Sequence, residues 1–221
     1  MSFNIAIDGP SGAGKSTISR TVASRLGIVY ADTGALYRTI GLYIYNNGIS
    51  VDSDSEVEKA LKDITIEIKF ISGEQRVFLN GCDVSDDIRK HIISEYASKV
   101  SAIPAVRAFL LDMQRKIAAS GDCIMDGRDI GTVVLPNAQL KIYLTASAEV
   151  RAKRRCIELE QKGEYVSYET VLNDVISRDN RDMNRKVAPL KVADGAVVID
   201  TSDFTFEESV DAVINTIKER K

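Results

Sequence analysis

Apolar residues along the chain follow two different rhythms. Short runs at 4–8, 28–32, 123–126, 140–145 and 196–200 are rich in Val, Ile, Tyr or Ala and mostly lack alternation. Strands apolar on both sides belong inside a parallel sheet covered by helices on each face. Four of the five runs end on aspartate (Asp8, Asp32, Asp126 and Asp200), and the fifth ends on Thr145. The carboxyl edge of the predicted sheet is therefore polar, and that is the edge where open α/β sheets bind ligands. Between the runs, helical spacing predicts helices over 16–26, 35–46, 105–119, 148–162, 167–183 and 206–220. In the third of these, Val106, Phe109, Leu110, Met113 and Ile117 line one face behind Pro104, a natural helix start. Gly27 suits the stop of the first.

One segment departs from this scheme. Residues 64–70 alternate strictly between apolar and polar, Ser72-Gly73-Glu74 reads as a turn, and 75–79 alternate again before Asn80-Gly81. That is an antiparallel unit with one wet face, set as an insertion between α/β elements.

Bulk composition narrows the possibilities. A chain of 221 residues, 44% hydrophobic and 28% charged, fits one soluble domain with a real core. A net charge of −3 offers no global basic field, so no nucleic-acid partner is expected, and an anionic ligand must be held by local cations. No run approaches the ~18–20 apolar residues of a membrane span, and the start at Met1–Asp8 lacks the features of a secretory signal. The expected setting is the cytoplasm, without a membrane partner. Cys82, Cys123 and Cys156 are scattered and form no pairing or zinc pattern. His91 is the lone histidine, too little for a histidine-based metal site or a triad.

The sharpest chemical signal is Gly9-Pro10-Ser11-Gly12-Ala13-Gly14-Lys15-Ser16, a full G-x-x-x-x-G-K-[ST] match between a predicted strand and helix. Its glycines let successive backbone N–H groups face one phosphate, and the helix start adds about half a positive charge. Lys15 is placed to reach the β- and γ-phosphates of ATP, and Ser16 can offer its hydroxyl to Mg2+. The guanine-reading N-K-x-D and the switch D-x-x-G are both absent, which argues against a GTPase.

Arginines decide what the nucleotide is for. Transfer between two anions crowds negative charge, and planar guanidinium forks suit it best. Arg151, Arg154 and Arg155 share one helix face, and Arg178, Asp182 and Arg185 share another. One such cluster alone reads as a solvated Arg–Asp helix. Two around Gly163 in a P-loop chain read as a lid that closes over phosphates and excludes water. Three more candidates sit where loops leave the sheet: Asp32-Thr33-Gly34 with Tyr37-Arg38, Pro104-x-x-Arg107, and Asp126-Gly127-Arg128-Asp129. Asp126 suits a water-mediated hold on Mg2+. Asp129 can accept a hydrogen bond from an exocyclic amine, as carboxylates do in reading cytosine. Thr33 reads equally as a contact or as a helix N-cap.

Taken with their order, the strings Asp8-Gly-Pro-Ser-Gly-Ala-Gly-Lys-Ser16, Asp32-Thr-Gly-Ala-Leu-Tyr-Arg38, Asp126-Gly-Arg-Asp-Ile-Gly-Thr-Val-Val134 and Arg178-Asp-Asn-Arg-Asp-Met-Asn-Arg185, followed by Ala188-Pro-Leu190, resemble the bacterial cytidylate kinases among P-loop nucleoside monophosphate kinases. The resemblance runs over nearly the whole chain and includes the three-stranded insertion. It implies that Thr33, Arg107 and Asp129 contact cytosine with Ser98 nearby, and that Arg38, Arg128 and Arg185 hold the acceptor phosphate. It also implies that Arg178 and Asp182 face the sugar, while Lys15 and Arg154 hold the transferred group. Some relatives carry Gly at the position of Ser16, so Thr17 is a second candidate for the hydroxyl role.

The reading is thus an α/β P-loop three-layer fold with a five-stranded parallel sheet, a small antiparallel β insertion and a short helical lid. Residues 1–32, 101–150 and 186–221 form the core, 33–100 the acceptor-binding region with the insertion near 62–93, and 151–185 the lid. The expected reaction passes the γ-phosphoryl of ATP, with Mg2+, to CMP and dCMP, in a monomer. The acceptor is already an anion, so no strong general base is needed, and none is evident. The competing readings are another acceptor (UMP, dTMP or shikimate) and a nucleotide-dependent switch without transfer. The switch leaves Arg38, Arg107, Arg128 and Arg185 unexplained.

Overall fold

The computed structural model describes residues 2–71, 73–161 and 163–220. In chain order its elements are β1 (Asn4–Asp8), α1 (Lys15–Leu26), β2 (Val29–Asp32), α2 (Thr33–Asn46), α3 (Asp54–Ala60), β3 (Ile66–Ile71), β4 (Glu74–Leu79), β5 (Cys82–Asp83), α4 (His91–Val100), α5 (Pro104–Ala119), β6 (Cys123–Gly127), β7 (Leu140–Thr145), α6 (Ala148–Gln161), α7 (Tyr168–Asn184), β8 (Val197–Asp200) and α8 (Phe206–Lys218).

The five apolar runs pair as one parallel sheet in the order β2-β6-β1-β7-β8. Burial on both faces explains why they do not alternate: Ile5, Ala6 and Ile7 of the central strand are all fully buried. On one face Ile18 and Val22 of α1 pack with Val210 and Val213 of α8. On the other, Ala118 of α5 packs with Met125, Ile130 and Val134.

The alternating segment forms the separate sheet β3-β4-β5. Its inward residues Ile66, Val77 and Leu79 join Leu36, Ile40, Ile44, Ile88, Ile93, Val106 and Leu110 in the largest apolar cluster. The insertion is therefore fused to α2, α4 and α5 by a shared core. Of the expected turn at Ser72-Gly73-Glu74, Ser72 lies outside the described residues, and Gly73 has φ +81°. The expected helix end at Lys162 also lies outside them.

Two helices were not expected, α3 and α4. Both are short and bury few residues: Val57 and Ala60 in one, Ile93, Ala97 and Val100 in the other. Tertiary burial of those few residues makes up for a weak local signal. The lid helices α6 and α7 are the opposite case, expected from pattern but thinly packed. Among the described residues their own buried apolar cluster is Ala152, Leu159 and Val171, with Cys156, Tyr168, Leu172 and Val175 partly buried against it. No helix among the described residues is long and apolar enough to cross a membrane.

The loop after β1 passes so close to β7 that a Cβ on Gly9 would lie 1.9 Å from the Leu144 carbonyl oxygen. Backbone on both sides leaves nothing flexible to yield. Gly9→Ala is expected to cost at least ~3 kcal/mol of unfolding free energy, measured by denaturant titration against wild type.

Candidate active site

Parallel register gathers the strand-end carboxylates. Asp32 stands beside Asp126, and Asp8 beside Gly127, at the carboxyl edge of β2, β6 and β1. The loop 9–16 crosses this edge and enters α1, with Gly12 at φ +77° and Gly14 at φ +82°. Both positive angles turn the backbone into a cradle that side-chain-bearing residues rarely adopt. Lys15 is buried in the cradle, and its ammonium donates to the Pro10 carbonyl at 2.7 Å. Burial, followed by the charge of Arg128, holds its pKa well below the usual lysine value. Gly9, Ser11 and Ala13 complete the loop, and Thr17 is exposed on the first turn of α1.

Asp126 accepts from the Ser16 hydroxyl at 2.8 Å and from the Tyr30 hydroxyl at 3.0 Å. Burial, then the nearby charge of Asp32, pushes its pKa up to about 6. Among the described residues, no group of three or more His, Cys, Asp or Glu could cage a metal by itself. A nucleotide-bound Mg2+ needs only one or two carboxylates, with phosphates and waters filling its other positions. The Asp126–Ser16 pair fits that chemistry.

Asp32 caps α2, accepting from the Ala35 amide at 3.0 Å. This replaces the N-cap reading of Thr33, whose hydroxyl instead donates to the Asp126 carbonyl at 2.7 Å. Gly127 is tightly enclosed: a Cβ there would meet Ile130 at 2.7 Å and Thr33 Oγ1 at 2.8 Å.

The residues expected on the acceptor side form a lattice of arginine–aspartate pairs. Arg107 bonds Asp129 directly, donates to the Ser101 carbonyl at 3.0 Å, and lies 5.5 Å over the Tyr37 ring. Arg185 reaches the other Asp129 oxygen at 3.3 Å and donates to the Ala188 carbonyl at 2.6 Å. Arg128 pairs with Asp182 at 2.8 Å, and Arg38 with Asp32 at 2.7 Å. Against the upward push of burial, Arg128 holds the Asp182 carboxyl below its ordinary range. Burial, then repulsion from Arg128, lowers Arg178 to about 10. Buried polar atoms normally find partners. Here Arg38 Nε, Arg178 Nε and Ser98 Oγ are buried without a hydrogen-bond partner. All three belong to residues expected on the acceptor side.

The first lid cluster does not act as one patch. Arg155 pairs with Glu158 on its own helix at 2.8 Å. Arg154 donates to the Thr201 carbonyl at 2.8 Å, holding the loop after β8. Arg151 is buried and donates to the carbonyls of Ala146 (2.8 Å) and Ser11 (2.9 Å) and to Asp179 (2.5 Å), tying the phosphate loop to both lid helices. Asp8 was visible in the sequence only as a strand end. In the fold its carboxylate accepts from the Ile130 and Gly131 amides, each at 2.7 Å, and so anchors the turn that follows Asp129. Its partners lie more than a hundred residues away, and no local signal announces them.

A phosphate loop leaving the central strand of a parallel sheet, with two helices after β7 and arginine–aspartate pairs near the carboxyl edge, defines the class: a P-loop kinase. The chain belongs to the cytidylate kinase family, whose profile matches residues 5–219. A cytidylate kinase of Caldicellulosiruptor bescii is 52% identical over 212 residues, covering 96% of this chain and 94% of that one. A cytidylate kinase of Caldanaerobacter subterraneus subsp. tengcongensis is 50% identical over 218 residues, covering 99% and 96%. The crystal structure of an uncharacterized protein from Eubacterium ventriosum aligns over 100% of both chains with a TM-score of 0.53 at 16% identity, a likeness of fold alone.

Asp126 carries a testable cost. Its carboxyl titrates near 3.8 when unperturbed and at about 6 in the fold. The folded state thus holds the extra proton, and ionisation opposes folding, in part between those values and fully above them. Asp126→Asn keeps the shape and can still bond Ser16 and Tyr30. It is expected to raise stability at neutral pH by on the order of 1–3 kcal/mol, with the gain shrinking as pH falls toward the unperturbed value. Thermal unfolding of both proteins across a pH series reads this out.

Proposed function

We propose that the chain transfers the γ-phosphoryl group of ATP to CMP and dCMP, releasing ADP and CDP or dCDP. The observation that carries this is Asp129: a carboxylate buried among cations, with one oxygen toward Arg107 and the other toward Arg185. A buried carboxylate held in place by arginines suits the exocyclic amine of cytosine, an amine that uracil and thymine lack. Family membership supports the same acceptor.

The division of labour is the one the family resemblance implies. The loop 9–16 and Lys15 hold the β- and γ-phosphates. Arg38, Arg128 and Arg185 hold the acceptor phosphate, Arg178 and Asp182 take the sugar, and Thr33, Tyr37, Ser98 and Arg107 frame the base with Asp129. An acceptor phosphate oxygen attacks the γ-phosphorus in line, and the bond from that phosphorus to the bridging oxygen of ADP breaks. Arginines crowd around the shared equatorial oxygens, where charge builds up. Burial disfavours the charged form of Lys15, and the charge of a bound polyphosphate favours it. Ser16 and Asp126 would hold Mg2+, with Thr17 as a further hydroxyl, and the ion would supply neutralisation of phosphate charge. Arg154 sits at the loop after β8 and braces the nucleotide end of the cleft. We assign the protein to the cytoplasm as a monomer.

Two measurements test this. ADP release with ATP and Mg2+ should be fastest with CMP and dCMP, and slow with UMP, dTMP, AMP, GMP and shikimate; a preference for any of the slow group overturns the acceptor. Asp129→Asn should lower kcat/KM for CMP by about a hundredfold or more while changing the KM for ATP by less than about twofold, with circular dichroism confirming an intact fold.

A further inference from the structure

The insertion makes one polar contact with the catalytic core that the reaction as described does not use. Asp32 ends the edge strand β2 and is almost fully buried. From β4, the Gln75 amide satisfies the free side of that edge, accepting from the Asp32 N–H at 2.9 Å and donating to the Asp32 carbonyl at 3.2 Å. The carboxylate is held from three directions. Oδ1 takes the Ala35 amide, while Oδ2 is shared by Arg38 at 2.7 Å and by Arg89 at 3.0 Å. Arg89 comes from a single 3-10 turn, Asp87–Arg89, anchored by the fully buried Ile88.

Two cations on one oxygen exceed what a single carboxylate needs. Arg38 is also incompletely satisfied, because its Nε is buried with no partner. Gly34 leaves room for its guanidinium: a Cβ there would come within 3.2 Å of Arg38 Nη1 and 3.0 Å of Asp32 Oδ1. Arg38 is thus held near the helix start by one hydrogen-bonded pair, with donor capacity unused.

We infer that Arg89 is a positioning residue for the acceptor: by neutralising Asp32 it frees Arg38 to leave that carboxylate for the acceptor phosphate. This rests on the reading of Arg38 as a phosphate ligand. A buried carboxylate stripped of its only counter-ion is strongly disfavoured. Without Arg89, Asp32 would hold Arg38 back and acceptor binding would have to break that pair uncompensated. With Arg89 in place, the pair is exchanged rather than lost. The insertion thereby sets how readily the site accepts its phosphate, without touching the substrate.

Initial rates at saturating ATP and Mg2+, with CMP varied, test the inference. Arg89 is about half exposed (46% for the side chain), so its substitution leaves the core intact. Arg89→Met is expected to raise the KM for CMP about tenfold with the KM for ATP unchanged, and Arg89→Lys, which keeps the charge, to restore most of the loss. In an Arg38→Met background, Arg89→Met should add less than about twofold, because its effect runs through Arg38. An unchanged KM for CMP in Arg89→Met, an equal rise for ATP, or no rescue by lysine would overturn the inference. So would a full tenfold penalty in the double variant, since that would mean Arg89 contacts the acceptor itself. If Arg38→Met alone leaves the KM for CMP unchanged, the reading of Arg38 as a phosphate ligand fails, and this inference with it. If Arg38→Met raises it and Arg89→Met does not, only this inference falls.

Discussion

A cleft that receives two polyanions has to be lined with cations before the anions arrive. Buried guanidinium groups packed side by side repel one another and cannot be left unpaired at low cost. The chain meets this constraint with carboxylates of its own: Asp32 beside Arg38 and Arg89, Asp129 between Arg107 and Arg185, Asp182 against Arg128, and Asp179 against Arg151. Each aspartate is a counter-ion for at least one arginine. These pairs keep the arginines charged, oriented and close together.

The rest of the architecture serves that lattice. A parallel sheet aligns strand ends in register and brings Asp8, Asp32 and Asp126 to one edge. The largest apolar cluster holds α2, α4, α5 and the insertion as one body. The lid has a small core and is attached mainly through polar contacts, with Arg151 as the junction between the phosphate loop and Asp179. The larger core lies under α2, α4 and α5, and the smaller one under α6 and α7. Asp8 and Asp126 show what the arrangement costs. Both carboxyls are pushed up to about 6 by burial, and both sit where the loops around the phosphate site are anchored. Strain of this kind collects at functional sites because the same burial that destabilises a charge also strengthens its action.

Much of this was legible in the order of residues. The phosphate loop is a local motif whose geometry depends on glycines at fixed spacing, so Gly9, Gly12, Gly14 and Lys15 could be assigned a task without any tertiary knowledge. The strands were legible because burial on both faces leaves continuous apolar runs, and the insertion because burial on one face leaves alternation. α3 and α4 were not: α3 buries only two apolar residues, and α4 is short, with Ile93, Ala97 and Val100 at helical spacing for barely three turns. The arginines of α6 were read correctly as sharing a face, but helical spacing says nothing about what each guanidinium meets, and in the fold Arg151, Arg154 and Arg155 go to three different places.

What the amino-acid sequence determined by itself was everything encoded over short range: element type, the phosphate cradle, the polar sheet edge and the supply of arginines and aspartates. Only the tertiary structure decided the pairing. Asp8 with the amides of Ile130 and Gly131, Asp32 with Arg89 and Gln75, and Asp129 with Arg107 and Arg185 join residues from distant parts of the chain. Charges of one kind are interchangeable in a sequence. Which cation a given carboxylate holds depends on strand order, on register and on which groups are buried together, and those are properties of the packed chain.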